Sequence, residues 1–550
     1  MSVSTTARPD QVPVLIIGGG PVGLGLAADL GSRGVRCVMI DRGDGTVYHP
    51  RANTVNSRTM EFCRRWGIAQ EVKESGAPPD FPPTIIYATS LPGFEIARIE
   101  RPTHGGYKPL PTTPERSQRC NQIWFDPILR KLGATFPSVT QRYGCKFESV
   151  EILEDGVIAT VTDIASGQTE RIAARYLVDC SGGHSGIGKM LGVKQEGKAT
   201  LSYHLNIFLR IKELWTLHDK GNAAFYFLVD KSGDYGSFIE IDGRELWRLG
   251  MHGEQFKEEP TPELLKSVIT RALGPNIPYE IISARRWICR DLVADRFQAP
   301  PIFLAGDCVH QHAPSGGFGM NTGMGDAVDL GWKLAACLAG WGGAGLLESY
   351  EAERRPVAQR NVGEATDNVM RTTNEALVRL VDDDTPEGRD ARHQLGEDIV
   401  RNRAKTFISD GIALGYRYES PIVIPDGTAP PPDSVMNYVQ TSRPGSRAPH
   451  AWIEEGKSTI DLFGKNFVLL RFPGAPDASG IAEAASRNAM PLDVVEIADP
   501  AIAALYEKKL VLVRPDGHVA WRGNTAPQDP AEIIDTVRGV AAAGKARRAA

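Results

Sequence analysis

An α/β fold is predicted: a parallel sheet interrupted by an inserted antiparallel sheet and followed by a second, smaller α/β domain. Three observations predict it. Residues 12–17, Val-Pro-Val-Leu-Ile-Ile, form a continuous apolar run of strand length, the pattern of a strand buried on both faces. Glycines 18, 20 and 23 follow, and then apolar residues recur at helical spacing over 24–30. Two further apolar runs, 35–40 and 301–305, end on acid-bearing turns at Asp41 and Gly306-Asp307.

The chain has 550 residues, which at about 150 per domain allows three or four units. Hydrophobic residues are 42% and charged residues 23%, ordinary globular usage that excludes wholesale disorder and fibrous classes. Lys+Arg 62 against Asp+Glu 67 leaves a formal charge of -5, so no electrostatic footprint for nucleic acid is expected. The eight cysteines include no Cys-x-x-Cys, which argues against zinc ribbons and dithiol centres and for a reduced cytoplasmic chain. No metal site is expected. The polar N-terminal residues lack the pattern of a signal peptide, and the longest apolar candidate, 334–347, falls short of a bilayer span, so no membrane partner is expected.

Along the chain, Gly34 is predicted to end the first helix, and 35–40 to form the second buried strand. Residues 81–117 are rich in Pro and Gly without clean periodicity, and helical patterning returns over 124–132. Between 202 and 251 β-rich runs such as 225–229 and 237–241 suggest the inserted antiparallel sheet. The strand 301–305 leads into a Gly-rich loop and a helix expected from about Thr322 to Ala339. A mostly helical stretch occupies 346–414, seven prolines between 421 and 449 mark a linker, and strands near 467–471 and 510–513 belong to the terminal domain.

Gly18, Gly20 and Gly23 have the G-x-G-x-x-G spacing between a strand and a helix. The first permits the tight turn, the second lets backbone approach a pyrophosphate, and the third allows close helix–strand packing. The helix start offers free N–H groups and a positive dipole end to phosphates. Asp41 ends the second strand 18 residues after Gly23, where an acid accepts hydrogen bonds from an adenosine ribose. This cradle does not separate NAD from FAD.

The second acid does. Residues 301–307, Pro-Ile-Phe-Leu-Ala-Gly-Asp, then His310 and Pro314-Ser315-Gly316-Gly317-Phe318-Gly319-Met320-Asn321-Thr322-Gly323-Met324, resemble the group A flavoprotein monooxygenases, the aromatic hydroxylases related to phenol hydroxylase and p-hydroxybenzoate hydroxylase, over essentially the whole chain. The resemblance implies a Rossmann-like FAD-binding domain of the glutathione reductase type, with an inserted antiparallel-sheet substrate domain and a C-terminal thioredoxin-like domain. It implies non-covalent FAD held by Gly18, Gly20, Gly23, Asp41, Arg42, Arg51, Gln122, Asp307, Gly317, Gly319, Met320 and Asn321. Asp307 is the expected partner of the ribityl chain, and the loop from Pro314 the expected floor of the isoalloxazine, where a helix start stabilises negative charge on reduced flavin. His49-Pro50-Arg51-Ala52-Asn53, Gln122 with Phe125-Asp126-Pro127, and Leu347-Glu348-Ser349-Tyr350-Glu351-Ala352-Glu353-Arg354-Arg355-Pro356 carry further likeness.

The segment Asp179-Cys180-Ser181-Gly182-Gly183-His184-Ser185-Gly186-Ile187-Gly188-Lys189 departs from the family's pattern, with Ser181 in place of an Asp and Gly188 in place of an Arg. The choice between NADPH and NADH is therefore left open. The terminal domain matches through Arg447-Ala448-Pro449-His450-Ala451-Trp452 and residues 513–522, and it contains no cysteine, which excludes dithiol exchange there.

The resulting organisation is an FAD domain in three pieces (1–80, 111–195 and 300–340), a substrate domain (81–110 and 196–299), a helical segment (341–420), a linker (421–449) and the terminal domain (450–550). The expected activity is hydroxylation of a phenolic or aromatic substrate using NAD(P)H and O2 through a flavin C4a-hydroperoxide. Two alternatives stand beside it: a flavin monooxygenase acting on a polycyclic natural product, by Baeyer-Villiger oxygenation or antibiotic modification, and a flavin-binding regulatory protein without turnover. Pro314, His252, Tyr226 and Arg286 are the candidates at the reacting ring, and alternation along 203–210 means that only one of Tyr203 and His204 faces it. A homodimer is a mild expectation from the family.

Overall fold

The computed structural model describes residues 11–101, 103, 110–370 and 374–540. Its central sheet has a parallel core in the order Ile302–Leu304, Thr169–Asp179, Val12–Ile17, Cys37–Ile40 and Val139–Arg142. An antiparallel meander, Cys145–Leu153 and Gly156–Asp163, continues from the strand Thr169–Asp179. The registers Ile17↔Ile40, Ile17↔Asp179 and Asp179↔Leu304 bring the C-terminal ends of four strands level. In such sheets ligands bind in the crevice beyond those ends. Val14, Leu15 and Ile16 are fully buried, the two-sided burial that their continuous apolar run requires.

The inserted sheet has eight strands in the order His310–Gln311, Glu280–Ala294, Gln195–Arg210, Leu246–His252, Gly233–Glu240, Phe225–Asp230, Ile85–Ala88 and Glu95–Ile99. One face carries Leu205, Ile207, Trp247, Leu249, Tyr226 and Phe238 against Val268, Ile269 and Ala272 of the helix Pro262–Leu273. The other face is divided. At its far end Tyr87, Phe225 and Phe227 pack under Leu395, Ile399 and Phe407 of the helical segment, and the remainder turns toward residues 49–51.

The terminal domain has the sheet order Leu492–Glu496, Phe467–Arg471, Leu510–Val513 and Val519–Gly523; the first pair is parallel and the others antiparallel. It is not a separate bead. Trp332, Trp341 and Leu346 from the two long helices Phe318–Leu338 and Ala344–Met370 share one apolar cluster with Phe467, Leu469, Ile534 and Val537. Among the described residues no helix is long and apolar enough to cross a membrane.

Candidate functional site

The cradle forms where the glycine spacing places it. Gly18 has φ +108, and a Cβ there would lie 2.4 Å from the Cys180 carbonyl oxygen. A Cβ on Gly23 would lie 1.9 Å from the Gly18 oxygen, so these two glycines serve the packing of the turn itself. Gly20 differs: a Cβ there would meet nothing within 4 Å. Gly20 caps the helix Pro21–Ser32 without a side-chain hydrogen bond, and Pro21 takes the first helical position. The N–H groups of Val22 and Gly23 are left to a ligand. Asp41 closes the turn, accepting from Gly19 N at 2.7 Å and Gly43 N at 2.6 Å. Two of a carboxylate's roughly four acceptor positions are thereby used, and the rest remain for ribose hydroxyls. Arg42 beside it is exposed.

Asp307 follows the buried strand Ile302–Leu304 and is solvent-accessible, with no protein hydrogen bond to its side chain among the described residues. It lies deep enough that desolvation raises its pKa, against the pull of His310 and Arg51. Arg51, itself exposed, also lies within electrostatic reach of Asp126 and His49. Gln122 is buried and donates from Nε2 to Asp126 Oδ2 at 2.8 Å. Asp126 Oδ1 is buried without a partner among the described residues, and burial pushes the Asp126 carboxyl up to about 7.

The glycine-rich loop becomes helix earlier than its sequence suggests. Helix Phe318–Leu338 begins four residues before Thr322, capped by Gly317 in the left-handed region (φ +67) with no side-chain cap. The N–H groups of Phe318, Gly319 and Met320 are therefore free of intrahelical partners. Asn321 accounts for the early start. Its Nδ2 donates to Gly317 O at 2.8 Å and Thr54 O at 2.9 Å, and its Oδ1 accepts from Asn56 N at 2.9 Å. Both amide ends are engaged by protein, so Asn321 acts as the bolt of the loop. Pro314 is exposed, its carbonyl accepting from Gly317 N at 3.2 Å.

These features fit FAD on this chain's own geometry. An open cradle at Gly20, two uncapped helix starts, an unpaired acid at Asp307 and an orphaned buried carboxyl oxygen at Asp126 surround the ends of the parallel strands.

The inserted sheet sorts the ring-side candidates by parity. His204 pairs with His252 and Trp287, stacking on Trp287 at 4.4 Å and lying 5.7 Å from the His252 ring. Phe208 pairs with Arg248 and Ser283 on the same face. His49 meets this face, with Nδ1 2.8 Å from Ser283 Oγ, and Arg248 donates to the Arg51 carbonyl at 3.1 Å. His204 and His252 therefore lie on the sheet face that meets residues 49–51, whereas Tyr203 packs with the cluster on the opposite side. Tyr226 and Arg286 are also placed away from it. Tyr226 is fully buried in that opposite cluster with its hydroxyl on Gly221 O, and Arg286 pairs with Leu205 and binds Glu259 and the Lys257 carbonyl. Arg286 sits one residue out of phase with Arg285 and Trp287, and the strand of Tyr226 turns its other side chains, Phe225 and Phe227, under the helical segment.

Sequence reasoning missed Arg248 and Arg285. Arg248 shares parity with His252 on one strand, between the apolar Trp247 and Leu249, and that alternation was the available signal. Arg51, Arg248 and Arg285 have no carboxylate partner among the described residues. Desolvation, then Arg248, Arg285 and Arg51, hold the His49 imidazole neutral with its pKa at about 4. Desolvation and neighbouring Arg119 lower Arg248 itself to about 10.

In the segment that departs from the family pattern, Asp179 is buried, accepting from Ser181 N at 3.0 Å and from the Ser185 hydroxyl, so it closes its own turn. Lys189 is exposed.

The chain matches the FAD binding domain family over residues 11–365 and the aromatic-ring hydroxylase C-terminal domain over residues 441–542. It is 33% identical to a 4-methyl-5-nitrocatechol 5-monooxygenase of a Burkholderia species, covering 97% of this chain and 98% of that protein. It is 31% identical to the FAD-dependent monooxygenase apdD of Emericella nidulans, covering 95% and 89%. Among solved structures, the rebeccamycin biosynthetic enzyme RebC with reduced flavin superposes with TM-score 0.89 at 38% identity, covering 97% of this chain and all of that one. Aklavinone-11 hydroxylase in complex with FAD and aklavinone gives 0.81 at 27% identity, covering 96% and 99%. With two-domain matches, full-length relatives and a site built for a flavin dinucleotide, the chain belongs to the FAD-dependent aromatic hydroxylases, the group A flavoprotein monooxygenases.

Proposed function

We propose that this protein hydroxylates an aromatic ring bearing an acidic group, a phenol or an aromatic carboxylate, with NAD(P)H and O2 as co-substrates. The observation that carries the reading is the cluster of Arg51, Arg248 and Arg285 around His49, none of them in an ion pair among the described residues, where the sheet face meets residues 49–51. Bound FAD supplies the two-electron chemistry and the activation of O2. The cradle from Gly18 to Gly23 and Asp41 hold its adenosine end, Asp307 its ribityl chain, and the N–H groups at 318–320 the electron-rich edge of its ring. The protein's part at the substrate is electrostatic. Guanidiniums beside a bound phenol favour the phenolate, the electron-rich form that attacks an electrophilic oxygen. His49 serves this field as a neutral neighbour: at about 4 its pKa is too low for an efficient base near neutral pH. Phe208 and Trp287 supply flat apolar walls for the ring.

A polycyclic natural product is the second reading for the substrate, favoured by relatives named as polyketide hydroxylases and by the aklavinone complex. One experiment tests both. Purified protein is expected to be yellow, and phenols, aromatic carboxylates and polycyclic phenols are screened for accelerated NADH and NADPH oxidation, with products identified by mass spectrometry. Arg248→Gln is expected to raise KM for the accepted acidic substrate about tenfold, roughly 1.4 kcal/mol, with a smaller effect on kcat. A colourless protein that cannot be reconstituted, or turnover confined to neutral aromatics and indifferent to Arg248→Gln, overturns the proposal.

A further inference from the structure

The terminal turn Arg514-Pro515-Asp516-Gly517-His518 contains no cysteine and contributes nothing to the site described above, yet its polar groups are buried as deeply as the core. Arg514 is fully buried and reaches two helices of the FAD domain. It grips Glu353 with both terminal nitrogens, NH1 to Oε1 at 2.6 Å and NH2 to Oε2 at 2.8 Å, and donates to Asp329 at 3.1 Å. Lys333 donates to the same two acids at 2.8 and 2.7 Å. Burial opposes ionisation of Glu353, but Arg514 and Lys333 outweigh it and hold the carboxyl at about 2.

Two arms, part hydrogen bond and part backbone, run from this turn, one to the Gly306–His310 turn and one to the helix start at Gly317. The first passes through the helices. Arg354, next to Glu353, donates to Asp326 Oδ1 at 2.8 Å, one helical turn before Asp329. Asp326 Oδ2 then accepts from Gly306 N at 3.0 Å and lies 2.7 Å from His310 Nε2, bracketing Asp307. Tyr418 steadies this arm, its hydroxyl accepting from Arg354 NH1 at 3.0 Å. The second arm leaves from the Asp516 carbonyl, which accepts from Arg58 NH2 at 2.6 Å. Arg58 lies in the helix Ser57–Arg65, whose cap Asn56 donates its N–H to Asn321 Oδ1. Asn321 fixes Gly317 at the start of the flavin-facing helix.

The geometry points to a clamp: the terminal domain, through Arg514 and Asp516, sets the positions of the Gly306-Asp307 turn and the Gly317–Asn321 helix start, and so sets how tightly and in what environment FAD is held. Arg514 and Tyr418 are positioning residues, acting on the cofactor through Arg354, Asp326 and Asn321. The inference rests on FAD binding at Asp307 and not on the identity of the aromatic substrate. A charged, fully desolvated network suits this role because its geometry tolerates little relaxation: displacing one member leaves the others unpaired in the interior.

The test uses full-length apoprotein titrated with FAD, followed by flavin fluorescence, together with thermal melts and visible circular dichroism of the bound flavin at saturation. R514K keeps the charge but loses the fork geometry, Y418F removes one hydroxyl, and R522K perturbs a different buried arginine of the same domain, which binds Asp426, Glu507 and Ser442 away from the cofactor. R514K is expected to weaken FAD binding at least tenfold and Y418F about threefold, both with altered flavin dichroism. R522K is expected to stay within twofold with an unchanged flavin spectrum at a comparable loss of Tm. Unchanged FAD affinity in Y418F and in any folded R514K overturns the clamp, and so does an equal loss in R522K, which would mean general destabilisation. In either case a wild type that binds FAD leaves the hydroxylase reading standing.

Discussion

Asp126 shows at the scale of one residue how a buried carboxyl sets a cost on the fold. Its carboxyl is buried, bonded among the described residues only to Gln122, and pushed up to about 7 chiefly by desolvation. A carboxyl with a raised folded-state pKa contributes its stability below the unfolded value near 4 and loses it as pH rises through about 7. The ligand-free protein is therefore expected to lose stability over that window, by on the order of 4 kcal/mol from this group. Asp126→Asn should remove that part of the pH dependence. The check is urea unfolding of both apoproteins from pH 4.5 to 7.5; a stability difference that stays constant with pH contradicts it. The sequence marked Asp126 only as part of the segment around Gln122 that resembles the family, with no role of its own. Its significance comes from burial, which depends on what the rest of the chain brings against it.

At the scale of the element, the glycine cradle separates two jobs that one motif conceals. Gly23 is packed against Gly18, whereas Gly20 faces open space. Gly23→Ala is expected to destabilise the apoprotein by about 2 kcal/mol or more through overpacking. Gly20 has φ -78, a value open to alanine, so Gly20→Ala should cost about 1 kcal/mol or less in the apoprotein yet weaken FAD binding at least tenfold. Thermal melts with and without FAD decide this, and a Gly20→Ala protein with unaltered FAD affinity contradicts it. The first buried strand, the cradle and Asp41 were legible because their rules are local: apolar runs, glycine spacing and an acid at a strand end. The helix Phe318–Leu338 was legible only from Thr322 on. Its first turn is Phe-Gly-Met-Asn, which carries no helical periodicity and is held by the contacts of Asn321 with Thr54 and Asn56, more than 260 residues earlier in the chain. The inserted sheet had a readable strand pattern, but which face met the cofactor was undecided. Alternation gives two faces and no sign, and only the packing of helix Pro262–Leu273 on one of them placed Tyr226 and Arg286 on the face away from residues 49–51.

At the scale of the whole molecule, the terminal domain is joined to the FAD domain by a shared apolar cluster and by buried ion pairs at Arg514 and at Arg447–Glu61. Such contacts lie beyond the reach of salt screening. The full chain is expected to unfold in one calorimetric transition that includes the terminal domain, little changed between low and moderate salt; two resolved transitions contradict this. By itself the sequence determined the α/β class, the glycine turn between the first strand and helix, the acid that follows the strand Ile302–Leu304 and the lack of cysteine beyond Cys337, because each follows from residue type and short-range spacing. Only the tertiary structure decided that Arg51, Arg248 and Arg285 gather with no ion pair among the described residues, that His204 and not Tyr203 lies on the sheet face that meets residues 49–51, and that Arg514 is tied to the Gly306-Asp307 turn. Those are relations between segments hundreds of residues apart. They are set by which surfaces the folding chain buries together, and no local period in the sequence encodes that choice.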